Sequence, residues 1–578
     1  MARRTAFTVF PLVIVALIAA VLFLLALDRP PMVSARDVGA FGFEPGELVA
    51  DFDYRDADGE RGSLASLLDG REALVIALGT SACPMPPRFG ERLASLGEEY
   101  GRRGVRFVYV DANGGASKED ARGEAERSGF AGPYVLDRGA AIAGRLQAVV
   151  APEVFVIDRA RTMRYRGALD GASSALADVL DGHDVQVART DASGCDLEYE
   201  TATLPQREVT YHSRVSRILN QNCVTCHRAG GVGPFALDSF ARVSAYLPLI
   251  QSKVSQDLMP PWYASRDYGE WANDRSLSER DKRDLLAWID GGAPEGNPAL
   301  AVLPRHLKEG WQLGIEPDTI ITIPAAQQIP AEGVLDYRHV YVPTHWPEDR
   351  WVRAAEVVPT AKDVTHHVIV YLEDENAEER GGWLVGYAPG TMPAQWGEGY
   401  GKRIPAGQTL MFELHYTTNG KTAVDDTRLG LYFADEPSAH EVYMAAVGTE
   451  DFEIPPHASN QEVIAELEFD RPGEILSLLP HMHLRGKAFR YDIVHADGTE
   501  ETILEVPHYD FKWQLTYEPV EPFEIHAGDK LRGTAWYDNS EANPANTDPG
   551  SPVRYGKQSF EEMMFGFFEW VPGAVGGS

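Results

Sequence analysis

Residues 223–227 read Cys-Val-Thr-Cys-His. Two thiols three positions apart can each bond to a vinyl group of a haem, and the adjacent imidazole can take one axial position on the iron. A zinc knuckle would want a further Cys or His pair at similar spacing. The remaining cysteines, Cys83 and Cys195, are isolated. The stretch therefore predicts one c-type haem, held by Cys223, Cys226 and His227. It also divides the chain into parts of different pattern. Before it, strand-length apolar runs alternate with helical stretches. Well after it, strand patterns follow one another with turn residues between them.

Immediately around the motif, residues 205–300 read as an all-α, cytochrome c-like haem domain. Residues 211–221 form a predicted helix leading into the attachment site. Met259, in Leu258-Met259-Pro260-Pro261-Trp262, is the expected second axial ligand, because a thioether on a proline-flanked loop suits the sixth iron position. His212 is the alternative ligand. Residues 277–289 read as a closing amphipathic helix whose apolar face carries Leu285, Leu286, Trp288 and Ile289.

Towards the N-terminus, residues 36–195 alternate strand and helix. Strands are expected at 74–78, 105–110, 154–157 and 163–165, and helices at 88–100 and 119–128. Cys83 follows the first of these strands, and Pro152 precedes the third. This order resembles the thioredoxin-like redoxin family, on Cys83, on Pro152 where that fold places a cis-proline, and on Phe155-Val156-Ile157-Asp158 with Tyr165-Arg166-Gly167. The thioredoxin dithiol would need a cysteine at position 86, which is Pro86. Thr80-x-x-Cys83 matches the end of the peroxiredoxin pattern, but the proline that opens it is replaced by Ile76. The resemblance implies a thioredoxin-like α/β domain with Cys83 as a candidate catalytic thiol. Pairing of Cys83 with Cys195 and an inactive redoxin both remain open.

Residues 1–35 read as a signal anchor with a linker. Residues 5–27 carry no charged side chain, a length that can cross a bilayer as a helix. Arg3 and Arg4 should stay cytoplasmic and place the rest outside. The expected location is periplasmic, anchored to the inner membrane through this helix; secretion after signal-peptide cleavage near Val33-Ser34-Ala35 is the alternative. The chain has 578 residues, with 86 acidic against 53 basic side chains and a formal net charge of −33. Such a surface repels nucleic acid, and no nucleic-acid partner is expected. Nothing in the sequence fixes the oligomeric state.

Beyond residue 310, alternating strands at 319–323, 340–342, 368–371, 410–415, 428–432, 463–467, 489–493 and 530–536 predict antiparallel β-sandwiches. The length suits two in tandem, 310–450 and 451–578. Metal-ligand residues cluster here: His366-His367, His415 before Tyr416, His481-Met482-His483, and Met563 after Glu561-Glu562. In a strand, residues i and i+2 share a face, so His481 and His483 can hold one ion while Met482 turns away. His366 and His367 would point to opposite faces unless a bulge re-aims one of them. Imidazole suits copper and zinc alike; a thioether beside two imidazoles favours copper.

Taken in order, this set resembles the copper type II, ascorbate-dependent monooxygenases, the family of peptidylglycine α-hydroxylating and dopamine β-monooxygenases. The resemblance covers about residues 310–572. It implies two jelly-roll-like sandwiches with one copper each. His366, His367 and His415 would hold the electron-transfer copper, and His481, His483 and Met563 the copper that binds oxygen and substrate. It also implies hydroxylation of a substrate C–H bond with O2, the second oxygen atom leaving as water. Residues 310–578 contain no cysteine, whereas the animal enzymes are disulfide-braced. Leu479 and Phe567 stand where peptide-amidating members anchor a carboxylate, so a small apolar substrate is expected instead of a peptide C-terminus. The adjacent haem suggests that electrons reach the copper through iron, from a donor the sequence does not identify. The alternatives are a non-catalytic electron-transfer or copper-handling protein and a thiol peroxidase acting through the redoxin domain.

Overall fold

The structure, a computed structural model, describes residues 32–34, 43–80, 87–112, 117–130, 132–137, 140–200, 209–304, 310–373 and 382–573. The expected membrane anchor over residues 5–27 and Cys83 lie outside the described residues. Among the described residues, no helix is long and apolar enough to cross a membrane. The chain divides into two compact units. One comprises Met1–Thr225, Leu237–Leu247 and Arg283–Leu307, the other Cys226–Ala236, Pro248–Lys282 and Lys308–Ser578. The interval 205–300, read from the sequence as one haem domain, contributes to both.

The first unit is built on a five-stranded sheet: β1 (Ala73–Gly79), β2 (Val105–Ala112), β3 (Tyr134–Asp137), β4 (Glu153–Asp158) and β5 (Met163–Gly167). The strand order is β3-β2-β1-β4-β5, with β1, β2 and β3 mutually parallel, β4 antiparallel to β1 and β5 antiparallel to β4. All seven residues of β1 are buried, as expected of a central strand covered on both faces. Its period-2 alternation splits two cores. Leu74, Ile76 and Leu78 join Val108, Val110, Phe155 and Ile157 on one face, while Val75 and Ala77 join Phe107, Tyr109, Val154 and Val156 on the other. Helices α1 (Pro87–Gly101) and α2 (Leu169–Leu180) cover the second core through Leu93, Leu96, Leu169 and Leu176. The Ala151–Pro152 peptide is cis, as the redoxin resemblance implies. This is a thioredoxin-like α/β domain.

The predicted 211–221 helix opens with a wider π-type turn at Tyr211–Val215 before the α-helix Ser216–Asn222. Thr210 and Ser213 cap it reciprocally, each side chain bonding the other's backbone N–H. The closing helix runs Glu279–Asp290 and buries Leu285 and Trp288, two of the four positions expected on its apolar face.

The second unit contains the strands expected from the alternating pattern. In the first sandwich, β6 (Arg338–Pro343), β7 (Thr365–Leu372), β8 (Gly382–Tyr387) and β9 (Thr409–Tyr416) form a sheet in the order β6-β9-β7-β8. Val368, Val370, Leu410, Phe412 and Leu414 pack on Val352, Val357, Leu429 and Leu431 of the opposing sheet. In the second sandwich, β10 (Gly473–His481) and β11 (Met564–Pro572) pair antiparallel at the centre of one sheet. Ile475, Leu478, Met564 and Phe568 pack there on Phe489, Tyr491, Leu531 and Ala535 of the other sheet. Trp262 and Tyr263 complete that core, and Asn273 exchanges hydrogen bonds with the backbone of Thr516 and Glu518.

Candidate metal centres

The first centre depends on a local irregularity. Strand β7 pairs β9 with Thr365 opposite Tyr416, but two residues later His367 lies opposite His415. His366 is the extra residue of a β-bulge. A regular strand would send His366 and His367 to opposite faces; the bulge turns both toward His415. Ligand nitrogens of the three imidazoles fall within 4.8 Å of one another. Nδ1 of His366 and Nδ1 of His367 are 3.1 Å apart. Nδ1 of His415 is buried and has no hydrogen-bond partner. Burial lowers the pKa of His366. Burial, then repulsion from His415 and His366, holds His367 well below the usual imidazole range. Burial, then His366, brings His415 down to about 4. Three neutral imidazoles with converging nitrogens and an orphaned buried acceptor fit a metal ion. Two rings hold the set in place: Tyr337 stacks on His415 at 4.5 Å, and Phe511 stacks on His366 at 4.9 Å.

The second set lies where β10 ends. The rings of His481 and His483 are 5.3 Å apart and perpendicular, while Met482 between them is fully buried in the sandwich core. The strand ends at His481, so the strand alternation expected for this triplet covers only its first residue, and the chain beyond it brings the His483 ring beside His481. Nδ1 of His481 donates to Gln514 Oε1 at 2.9 Å, and Nδ1 of His483 donates to the Glu561 carbonyl at 3.2 Å. Each bond fixes a tautomer that leaves the Nε2 lone pair for a metal. Burial dominates the lowered values, about 4 for His481 and about 3 for His483.

Glu562, fully buried, ties this set together. Its carboxyl accepts from the backbone N–H of His483 at 2.8 Å, of Arg485 at 2.6 Å and of Met563 at 3.3 Å. Burial raises its pKa to about 8 against the pull of these amides. One side chain thus links the His481–His483 segment to the segment carrying Met563. Met563 and His481 line the same cavity, of about 1330 Å³, which His367 also reaches.

Leu479 and Phe567 sit directly opposite each other in the β10–β11 register and line this cavity, together with Trp383. Both side chains are apolar, so neither position offers an anchor for a carboxylate. A buried charge pair also stands on the cavity wall. Lys402 Nζ meets Glu569 Oε1 at 2.7 Å and donates to the carbonyls of Trp383 and Leu384. Trp396 Nε1 and Ser477 Oγ satisfy the other carboxylate oxygen.

At the haem motif, neither Cys223 nor Cys226 is disulfide-bonded. His227 is half-buried, and its Nδ1 donates to the Phe235 carbonyl at 3.0 Å, which leaves Nε2 as the metal-binding lone pair. A Cβ on Gly233 would fall 2.7 Å from His227 Nδ1, so the loop closes on the ring only with glycine there. An imidazole held this way, beside two thiols that are not disulfide-bonded, fits a haem iron. Met259 lies half-buried just ahead of Pro260 and Pro261. His212, the alternative ligand, has Nε2 3.4 Å from Glu295. In the redoxin domain, Cys195 stands in a disulfide and pairs in register with Ala151, next to cis-Pro152.

Tyr337, Phe511, Gln514 and Glu562 were not singled out as functional from the sequence. Glu562 alone carried a signal, its place beside Met563; the others touch the imidazoles only through long-range contacts.

Comparison with known proteins places residues 45–166 in the AhpC/TSA family. No curated protein matches the chain. Among solved structures, a hypothetical protein of Sinorhizobium meliloti is 26% identical, over 27% of this chain and 94% of its own, with a TM-score of 0.26. An uncharacterized conserved protein of Geobacillus kaustophilus is 24% identical, over 30% of this chain and 97% of its own, with a TM-score of 0.27. A peroxidoxin of Mycobacterium tuberculosis is 21% identical, over 24% of this chain and 96% of its own, with a TM-score of 0.21. The chain thus carries a redoxin domain, of a class associated with oxidoreductase chemistry, fused to a large β-sheet region.

Proposed function

We propose that the β-sandwich unit is a copper-dependent monooxygenase that hydroxylates a C–H bond of a small apolar substrate with O2. The observation that carries this reading is the bulge at His366, which brings three imidazoles within 4.8 Å of one another. His366, His367 and His415 would hold one copper, and His481, His483 and Met563 the other. Copper would supply one-electron steps and an oxygen-binding position. The chain's own residues do the rest. Gln514 and the Glu561 carbonyl orient the second imidazole pair, and Glu562 holds those imidazoles beside the Met563 segment. Leu479, Phe567 and Trp383 give substrate an apolar wall. Cys223, Cys226, His227 and Met259 would hold a c-type haem, which would supply one-electron transfer between an outside donor and the copper. In this reading residues 1–35 anchor the protein, and residues 36–578 lie in the periplasm as a redoxin domain, a haem domain and two copper sandwiches.

The test is metal and haem content of the purified protein, with oxygen consumption under reductant. Two coppers, one haem and reductant-dependent oxygen uptake are expected. Zinc in place of copper would end the reading. Bound copper with no hydroxylated product under any donor would favour a non-catalytic electron-transfer or copper-handling protein.

A second reading, thiol peroxidase activity of the redoxin domain, is favoured by the AhpC/TSA match and by the disulfide of Cys195 beside cis-Pro152. A thiolate would attack the peroxide and release water or alcohol, and the resulting sulfenic acid would condense with a second thiol to a disulfide. If so, Cys83→Ser abolishes thiol-dependent loss of hydrogen peroxide while haem and copper contents stay unchanged. Unaltered peroxide consumption in that variant would leave the redoxin domain without this role.

A further inference from the structure

The two imidazole sets share one aromatic neighbour. Phe511 lies against His366 with ring centroids 4.9 Å apart and an interplanar angle of 27°. The same ring meets His483 edge-on, at 5.7 Å and 78°. One imidazole of each set therefore touches the same side chain.

The loop bearing Phe511 is firmly held. Trp513 N donates to the Asp510 carbonyl at 2.9 Å, and Lys512 N donates to Asp510 Oδ1 at 3.0 Å. At its base, the Tyr509 hydroxyl accepts from Met482 N at 3.1 Å and donates to Met482 O at 2.8 Å. Met482 is the residue between His481 and His483, so the loop and the second imidazole pair are fixed to one another.

We infer that Phe511 is a positioning residue, an aromatic partition that keeps the two imidazole sets as separate mononuclear metal sites. The physical argument is that imidazole nitrogens choose partners by distance and direction. With nothing between them, four or five neutral imidazoles around one space form a shared or bridged site as readily as two distinct ones. A flat ring stacked on His366 and edge-on to His483 fills the space between these two imidazoles, beside the cavity that His367 and His481 both line, without adding a competing donor. This inference rests on the copper reading above.

The experiment uses the full-length protein loaded with Cu(II). Copper per chain and the integrated electron paramagnetic resonance intensity are measured for the wild type, Phe511→Ala and Phe511→Val. Phe511 is on a surface-accessible loop, and the valine variant keeps part of its bulk should the alanine variant not fold. The wild type is expected to hold two ions whose signal accounts for all bound copper. Each variant is expected either to lose most of the integrated signal at two ions per chain, through coupling of the pair, or to hold a single ion. Two ions with the wild-type spectrum in both variants would overturn the inference. A wild type whose two ions are already coupled would overturn it while leaving the copper reading intact. A wild type that binds no copper would remove both.

Discussion

Replacing His415 with alanine is expected to lower copper content from two ions per chain to one while haem content stays unchanged. His415 supplies one of the three nitrogens that lie within 4.8 Å of one another, and neither of its neighbours can take its place. His366 and His367 are fixed by the bulge, with their Nδ1 atoms 3.1 Å apart. Altering residues that only support a metal ligand costs roughly 10–100-fold in affinity. Losing a ligand outright should cost about 100-fold or more at this centre. Stability should change little, because His415 Nδ1 makes no hydrogen bond to lose. What goes is the stacked contact with Tyr337, of the class that contributes about 0.5–1.5 kcal/mol. Equilibrium dialysis against Cu(II), with elemental analysis of the dialysed protein, reads the result. Retention of both ions in His415→Ala would show that this triad is not a metal centre.

Lys402→Met is expected to destabilise the β-sandwich unit by about 3–5 kcal/mol, the range for removing one partner of a buried ion pair. Lys402 is only 4% exposed, and its ammonium has three partners: Glu569 and the carbonyls of Trp383 and Leu384. Without it, Glu569 keeps Trp396 and Ser477 on one oxygen and has a buried, uncompensated charge on the other. The pair joins the strand Tyr400–Ile404 of the first sandwich to β11 of the second. Its loss should therefore loosen the two ligand sets relative to each other as well. Denaturant unfolding followed by tryptophan fluorescence measures the effect. The double replacement Lys402→Met with Glu569→Leu should recover much of the loss, since an apolar pair of similar volume leaves no charge stranded. An equal loss in the single and double variants would show that the ion pair is not the cause.

Much of the framework was legible along the chain because it is written in local periodicity. The apolar run from Ala73 to Leu78, the strand-length stretches at 410–415 and 530–536, and the spacing of Leu285 and Trp288 each report the burial of one short element. These elements lie where the pattern placed them because burial at period 2 or 3.6 is decided within a few residues. The Cys-x-x-Cys-His motif was legible for the same reason: its residues are neighbours in the chain, and only the bond from His227 Nδ1 to the Phe235 carbonyl needed the folded loop. Pairing of Glu562 with the amides of His483 and Arg485, and of Lys402 with Glu569, left no local trace. Each joins segments far apart in sequence, and neither partner is unusual by itself.

The sequence by itself determined the strand and helix pattern, the order of the candidate ligands and the redoxin character of residues 45–166. That His366 and His367 lie together beside His415 was decided only by the register slip opposite β9, and that Phe511 touches one imidazole of each set only by the tertiary fold. The reason is physical. A strand's own geometry sends adjacent side chains apart, and only pairing with a second strand decides where an extra residue is accommodated.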